Sequence, residues 1–185
     1  LVLRAGALLV GLFVAAGCRA DEPGADLEVG AAAPTLSATA HDGTEVTVGQ
    51  AGGPPTVVYF YPKDGTPGCT REACAFRDVW NRYTEAGVRV VGVSADDADS
   101  HRQFAAEHNL PFPLISDEDF TWANAFGVPR RLGMHARHSF LVAPDGTIAQ
   151  IYRDVDPGTH ADEVLADAAA LTAEGAPSEP AAPTE

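Results

Sequence analysis

Apolar and polar residues alternate along this chain in two different rhythms, and each rhythm predicts a different element. Thr56-Val57-Val58-Tyr59-Phe60-Tyr61 is a continuous β-branched and aromatic run between prolines, the pattern of a central strand covered on both faces. Residues 88–94 repeat it as a second buried strand, and residues 112–115 as a third, shorter one. Between them the period changes. Ala73, Phe76, Val79, Trp80 and Tyr83 recur at three- and four-residue spacing, which predicts a helix over about 68–86. A second helix is expected over 100–108, and a short one over 117–126 with Asp117 or Asp119 near its start. Residues 36–40 and 45–48 flank His41-Asp42-Gly43-Thr44, which predicts a hairpin turning at Asp-Gly. Residues 139–142 and 147–152 read as two more strands joined at Pro144-Asp145-Gly146. A last amphipathic helix spans 159–171, with Val164 and Leu165 inward. There is no internal repeat.

Strands alternating with helices, then a hairpin and a terminal helix, give an α/β domain. Its expected core is a central mixed β-sheet with helices on both faces, preceded by an N-terminal β-hairpin. In such sheets functional groups gather where the carboxyl end of a strand hands over to a helix. Cys69 sits at that handover.

The ends of the chain follow neither rhythm. Arg4 precedes an uncharged apolar run over 5–16, and small residues then lead to Cys18. A positive end, a brief apolar stretch and a small-residue site describe an export signal, too short for a comfortable membrane span of about 20 residues. Ala15-Ala16-Gly17-Cys18 resembles a bacterial lipoprotein processing site, which would make Cys18 the lipidated first residue of the mature protein. An uncleaved anchor and a plain signal peptide are the alternatives, and each exports the chain. The expected organisation is a lipoprotein-type signal over 1–17, a flexible tether over 18–32, one domain over 33–172, and a disordered Pro/Ala/Glu tail over 173–185.

Composition narrows the function. The chain has 185 residues, enough for one domain with a proper core, and 45% of them are hydrophobic against 21% charged. A net charge of −14 would repel nucleic acid phosphates, and no basic cluster offsets it, so no nucleic acid partner is expected. Lys63 is the one lysine in the sequence. Trp80 and Trp122 read as packing residues. The six histidines show no ligand spacing and read as solvated or loop residues. Arg130 and Arg131 read as surface arginines, and Asp96-Asp97 and Asp117-Glu118-Asp119 as helix starts and loops.

With Cys18 set aside, two cysteines remain, Cys69 and Cys74, five residues apart. A disulfide closing so short a loop adds little stability, so the pair reads as working chemistry. A thiol that attacks a peroxide must do so as thiolate, although a free cysteine titrates near 8.5 on average. Cys69 lies in the first turn of the predicted helix, where unpaired N–H groups and the helix dipole favour an anion. Thr66, three residues earlier, offers a hydroxyl to orient a peroxide. Pro67 suits a first helical position because it lacks an N–H, and Pro62 stiffens the loop and is placed to shield the nucleophile.

Pro62-x-x-x-Thr66-x-x-Cys69 matches the active-site signature of the peroxiredoxins. The longer string Tyr61-Pro62-Lys63-Asp64-Gly65-Thr66-Pro67-Gly68-Cys69-Thr70-Arg71-Glu72-Ala73-Cys74 is similar to the peroxiredoxin Q, or bacterioferritin-comigratory-protein, subfamily, and the likeness runs over about 33–171. The resemblance implies a thioredoxin-like fold, peroxide substrates and a thioredoxin-type reductant. No cofactor is expected, and the expected state is a monomer. The resemblance implies that Cys69 is peroxidatic and that Cys74 resolves its sulfenic acid. It also implies that Arg137, ahead of His138-Ser139-Phe140, is the active-site arginine, with Glu72 as a candidate to hold it.

The pair of cysteines sets a geometric condition. Residues five apart on an intact helix have Cα atoms roughly 8–9 Å apart, and a disulfide needs about 7 Å or less. A Cys69–Cys74 bridge therefore requires the first turns of the helix to open. Two rival readings use the same residues. A thiol–disulfide oxidoreductase would lack its usual Cys-x-x-Cys motif. A copper-delivery protein would pair the cysteines with His135 or His138, and would leave Thr66 and Arg137 without a purpose.

Overall fold

The computed structural model describes residues 27–174. The proposed signal, Cys18, most of the proposed tether and the end of the tail lie outside the described residues. The strands are β1 (Leu36–Thr39), β2 (Glu45–Val48), β3 (Thr56–Phe60), β4 (Arg89–Ser94), β5 (Leu114–Ser116), β6 (Arg130–Arg131), β7 (Met134–His135), β8 (His138–Val142) and β9 (Ile148–Tyr152). The helices are α1 (Pro67–Asp78), α2 (Trp80–Glu85), α3 (Ala98–His108), α4 (Thr121–Ala125) and α5 (His160–Glu174).

All five residues of β3 are buried, as its unbroken apolar pattern requires. It lies at the centre of a five-stranded sheet ordered β5-β4-β3-β8-β9, parallel to β4 and antiparallel to β8. The fold is thus the expected α/β arrangement, a mixed sheet of thioredoxin-like type with an antiparallel β1–β2 hairpin before it. At the hairpin turn Asp42 Oδ1 accepts from Thr44 N at 2.9 Å, and Gly43 takes φ 86°, which explains the Asp-Gly pair.

Alternation along β3 divides the core. Val57 and Tyr59 face Phe76 of α1, Phe104 of α3 and Val164 of α5, whereas Val58 and Phe60 face Val46 and Val48 of the hairpin and Trp122 of α4. An aromatic cluster fixes the lower half of α1. Phe76 stacks on Tyr59 at 4.9 Å and meets Tyr83 edge-on at 5.7 Å, and Tyr83 donates from its hydroxyl to Ala161 O of α5 at 2.7 Å.

Several boundaries differ from the expected ones. The single helix expected over 68–86 breaks at Val79 (φ −105°, ψ 13°), which ends α1 and precedes α2. The third strand begins two residues later than expected, after Pro113, which lacks the N–H a ladder needs. The last helix runs to Glu174, past the expected end at 171 and into the expected tail. The last residues of the expected tether are held to the domain: Gly30 N donates to Ile148 O and Ile148 N to Ala31 O, at 2.8 Å each. Residues 30–32 thereby pair with the chain at the start of β9, where Ala32 bridges Thr147. The β6–β7 hairpin was not foreseen.

Candidate active site

β3 delivers the chain to a loop and then to α1. Tyr61 N still bonds Val93 O at 3.1 Å, after which residues 62–66 leave the sheet. Thr66 is the N-cap of α1 in an extended conformation (φ −77°, ψ 147°) and Pro67 is its first helical residue. The first intrahelical bond is Thr70 N to Thr66 O at 2.8 Å, so the N–H groups of Gly68 and Cys69 precede the ladder. Thr66 places no side-chain oxygen on them: its Oγ1 donates to Lys63 O at 3.0 Å. That hydroxyl's hydrogen is committed, and only its lone pairs face outward.

Arg137 reaches this turn because of strand register. Phe60 pairs with His138 at the end of β3, so Arg137 falls one position further, beside the start of the loop. Its Nη2 lies 3.3 Å from Cys69 Sγ, and its Nη1 bonds Glu72 Oε2. Cys69 is 2% exposed and Glu72 is fully buried. Burial is the largest influence on Glu72 and disfavours its charged form; the adjacent guanidinium opposes this, and the net effect raises the carboxyl to about 7. Burial alone would lower Arg137, but Glu72 and Cys69 outweigh it and hold it above its ordinary value. Glu72 Oε1 is buried without a hydrogen-bond partner, in keeping with a carboxyl that takes up a proton.

A second network holds the loop from below. Asp64 Oδ1 accepts from Tyr61 Oη, and Asp64 Oδ2 accepts from Ser100 Oγ and from His101 Nδ1, each at 2.8 Å. Asp64 N donates to Asp96 Oδ2 at 2.9 Å, which also accepts from Ser94 Oγ at 2.8 Å. Burial pushes the Asp64 carboxyl up, but these donors more than offset it and the net direction is down. His101 is fully buried, and its Nε2 lies 3.2 Å from Ile115 O.

The structure therefore brings Cys69, Thr66, Arg137 and Glu72 to one turn, with Pro62 half-buried at its entry. Cys74 is half-buried on the same unbroken helix, and both thiols are free. Three histidines read as solvated are instead interior. Besides His101, His160 Nε2 faces Ser139 Oγ at 2.8 Å, and His135 Nε2 lies 3.2 Å from buried Asp117 Oδ2 on the other face of the sheet. Asp117 does serve the start of α4, accepting from Trp122 N and Ala123 N, and does so from the interior, 1% exposed. Asp97 does cap α3, accepting from Ser100 N at 2.8 Å. Among the described residues no three His, Cys, Asp or Glu side chains are grouped as metal ligands.

The network through Asp64 was missed in the sequence. Ser100 and His101 lie 36 and 37 residues from Asp64, and the one local signal was an aspartate in the loop Pro62-Lys63-Asp64-Gly65-Thr66.

Comparison with known proteins follows the same outline. The model of the AhpC/TSA family matches residues 29–151. The chain is 41% identical over 139 residues to the chloroplastic peroxiredoxin Q of Oryza sativa subsp. japonica, an alignment covering 74% of this chain and 64% of the rice protein. It is 39% identical over 146 residues to the protein named peroxiredoxin bcp in Coxiella burnetii, covering 75% of this chain and 97% of that one. Among solved structures, peroxidoxin BcpB of Mycobacterium tuberculosis aligns with a TM-score of 0.72 at 30% identity, over 78% of this chain and 98% of that one. A bacterioferritin comigratory protein of Xanthomonas campestris, studied for alkyl peroxide reduction, aligns at 0.66 with 37% identity, over 80% and 97%.

Proposed function

The chain belongs to the AhpC/TSA family, among the peroxiredoxins of the Q and bacterioferritin-comigratory kind, and from that premise we propose that it is a thiol peroxidase acting through Cys69. The observation that carries the reading is the 3.3 Å approach of Arg137 Nη2 to Cys69 Sγ at the start of α1. A fixed cation and two unpaired N–H groups at one thiol favour its thiolate and the charge that develops on a departing oxygen.

In the proposed cycle the Cys69 thiolate attacks the terminal oxygen of a hydroperoxide. The O–O bond breaks with its electron pair leaving on the distal oxygen, which takes a proton to become water or alcohol, and Cys69 becomes a sulfenic acid. Thr66 Oγ1, its hydrogen engaged by Lys63 O, accepts from the O–H of the peroxide. Cys74 then displaces hydroxide from the Cys69 sulfur, giving a disulfide and water. An external dithiol of thioredoxin type returns two electrons by exchange.

The substrates are hydrogen peroxide and organic hydroperoxides. The setting is the cell envelope, with the mature chain lipid-anchored through Cys18 as a monomer that protects against oxidants and maintains redox balance there. Stopped-flow peroxide reduction with Cys69→Ser and Cys74→Ser tests the proposal. Cys69→Ser is expected to abolish the first step and Cys74→Ser to spare it while blocking recycling. Wild-type turnover by Cys69→Ser would end the proposal.

A further inference from the structure

Cys74 stands beside a guanidinium of its own. Arg77 follows it by three residues on α1, a spacing that sets two side chains on one helix face with Cβ atoms about 5–6 Å apart. Arg77 is also held in place. Its Nη1 donates to His108 O at 2.8 Å, and its Nε and Nη2 donate to Asp78 Oδ1 at 2.9 and 2.7 Å. His108 is the last residue of α3, where a carbonyl has no partner within its own helix, so the arginine fills an acceptor left open there. A guanidinium carries five N–H groups, and these bonds commit three of them. The hydrogen bonds to Asp78 do most to hold Arg77 above its ordinary value against burial, and the Cys74 sulfur adds to the rise through its charge and a hydrogen bond.

The peroxide step uses Arg137 at Cys69 and leaves Arg77 unemployed. The two thiols differ in what their positions give them. Cys69 sits at the N-terminal turn of α1, where the helix itself favours an anion, whereas Cys74 is the eighth of twelve residues and lies beyond the reach of that effect. A cation at the side chain is what Cys74 needs in its place. Asp78 offsets part of the charge, but its side chain is 65% exposed and its field is screened by water. On α3, His108 turns its ring edge-on to Phe104, with its Nε2 4.0 Å from the exposed Glu107. Arg71 precedes Cys74 by the same three residues, but it is exposed and its Cδ lies 3.6 Å from where a Cβ on Gly158 would stand, beside the loop ahead of α5.

We propose that Arg77 is a positioning residue for the resolving step, holding the Cys74 sulfur as the thiolate that attacks the Cys69 sulfenic acid. The proposal rests on the resolving role given to Cys74 above. The S–S bond forms as the S–O bond breaks, and the departing hydroxide takes up one proton, equal to the one Cys74 released, to leave as water. Cys74 is oxidised and Cys69 reduced, so no further reactant enters. The bond to His108 keeps the cation beside Cys74 while the first turns of α1 open.

The test follows alkylation of Cys74 by iodoacetamide in full-length Cys69→Ser chains, read by peptide mass so that Cys18 is counted apart. Adding Arg77→Gln is expected to slow alkylation roughly threefold or more at pH 7. A tenfold loss of thiolate gives less than a tenfold loss of rate, because the remaining thiolate is the stronger nucleophile. At about pH 10, where either thiol is ionised, the variant should be as fast as its parent or faster. A change in access alone would slow the reaction by one factor at every pH. Arg77→Lys should keep most of the rate at pH 7, and Arg71→Gln all of it. In chains with both cysteines, rapid quench after one equivalent of peroxide should show the disulfide forming roughly threefold more slowly in Arg77→Gln, with peroxide consumed at the parental rate. Parallel alkylation profiles for Arg77→Gln and its parent would overturn the proposal, as would an equal loss in Arg71→Gln. Recycling by Cys74→Ser would instead overturn the resolving role, and the proposal through it, whatever the alkylation profiles show.

Discussion

Glu72 and Arg137 form an ion pair closed off from water at the carboxylate end: Glu72 is fully buried, while the Arg137 side chain is 19% exposed and also touches Cys69. Burial raises the folded-state carboxyl to about 7, so between its ordinary value of 4.5 and 7 the folded protein binds a proton that the unfolded chain has released. Stability therefore falls as pH rises through that window, by up to about 3 kcal/mol for a shift of this size. Glu72→Gln is expected to flatten this part of the stability–pH curve in denaturant titrations. It should also erase an inflection near pH 7 in the rate of peroxide reduction, because Arg137 no longer shares its charge with a titrating partner.

Gly68 leaves room for that same arginine. A Cβ at this position would lie 3.2 Å from Arg137 Nη2, close enough to push the guanidinium aside. Gly68→Ala should stabilise α1 by up to about 1 kcal/mol while lowering the rate of peroxide attack about tenfold or more. Thermal melts and stopped-flow rates moving in opposite directions would show it; a faster or unchanged rate would contradict the placement of Arg137.

The Asp64 network predicts a different signature. Its carboxyl is held below its ordinary value, so the stability it contributes is present above about pH 4 and is lost as pH falls through the depressed value. Asp64→Asn should cost about 3 kcal/mol near neutrality, since it leaves buried donors facing an amide, and should weaken the pH dependence of acid unfolding. The peroxide rate should fall with it, by roughly ten- to a hundredfold, as the loop carrying Thr66 loses its support. Full activity in a stably folded Asp64→Asn would show that the network does not position the loop.

Oxidation should open α1 from one end. Both cysteines lie on a continuous helix, where residues five apart are too distant to bridge. Hydrogen exchange on the peroxide-treated chain is expected to show lost protection in the first turns of α1, with Phe76 and Tyr83 still protected by their aromatic cluster. Cys74→Ser, treated identically, should keep the whole helix protected. An oxidised wild type with full protection at Thr70 would contradict the opening.

Much of this arrangement was legible in the chain before folding. β3 announced itself because a strand covered on both faces must be apolar at every position, and Asp42-Gly43 announced its turn through local backbone chemistry. Cys69, Thr66 and Pro62 were legible because one short stretch of sequence, the loop and the first turn of α1, carries them all. What stayed hidden depends on distant pairing. His101 and His160 look solvent-like until Asp64 and Ser139 meet them across the fold. The β6–β7 hairpin gave no signal, because Arg130 and Arg131 do not alternate and leucine occupies the place of a turn residue. The break at Val79 fell within a helical period that continues on both sides of it.

Lys63 is exposed in the loop beside Cys69, its carbonyl holds the Thr66 hydroxyl, and the sequence has no other lysine. An amine-directed dye would therefore mark one side chain besides the α-amino terminus, at the edge of the turn that carries Cys69. Its emission would follow the loop in real time through oxidation and reduction, giving the protein a built-in attachment point for watching each turnover without an engineered cysteine to confuse the chemistry.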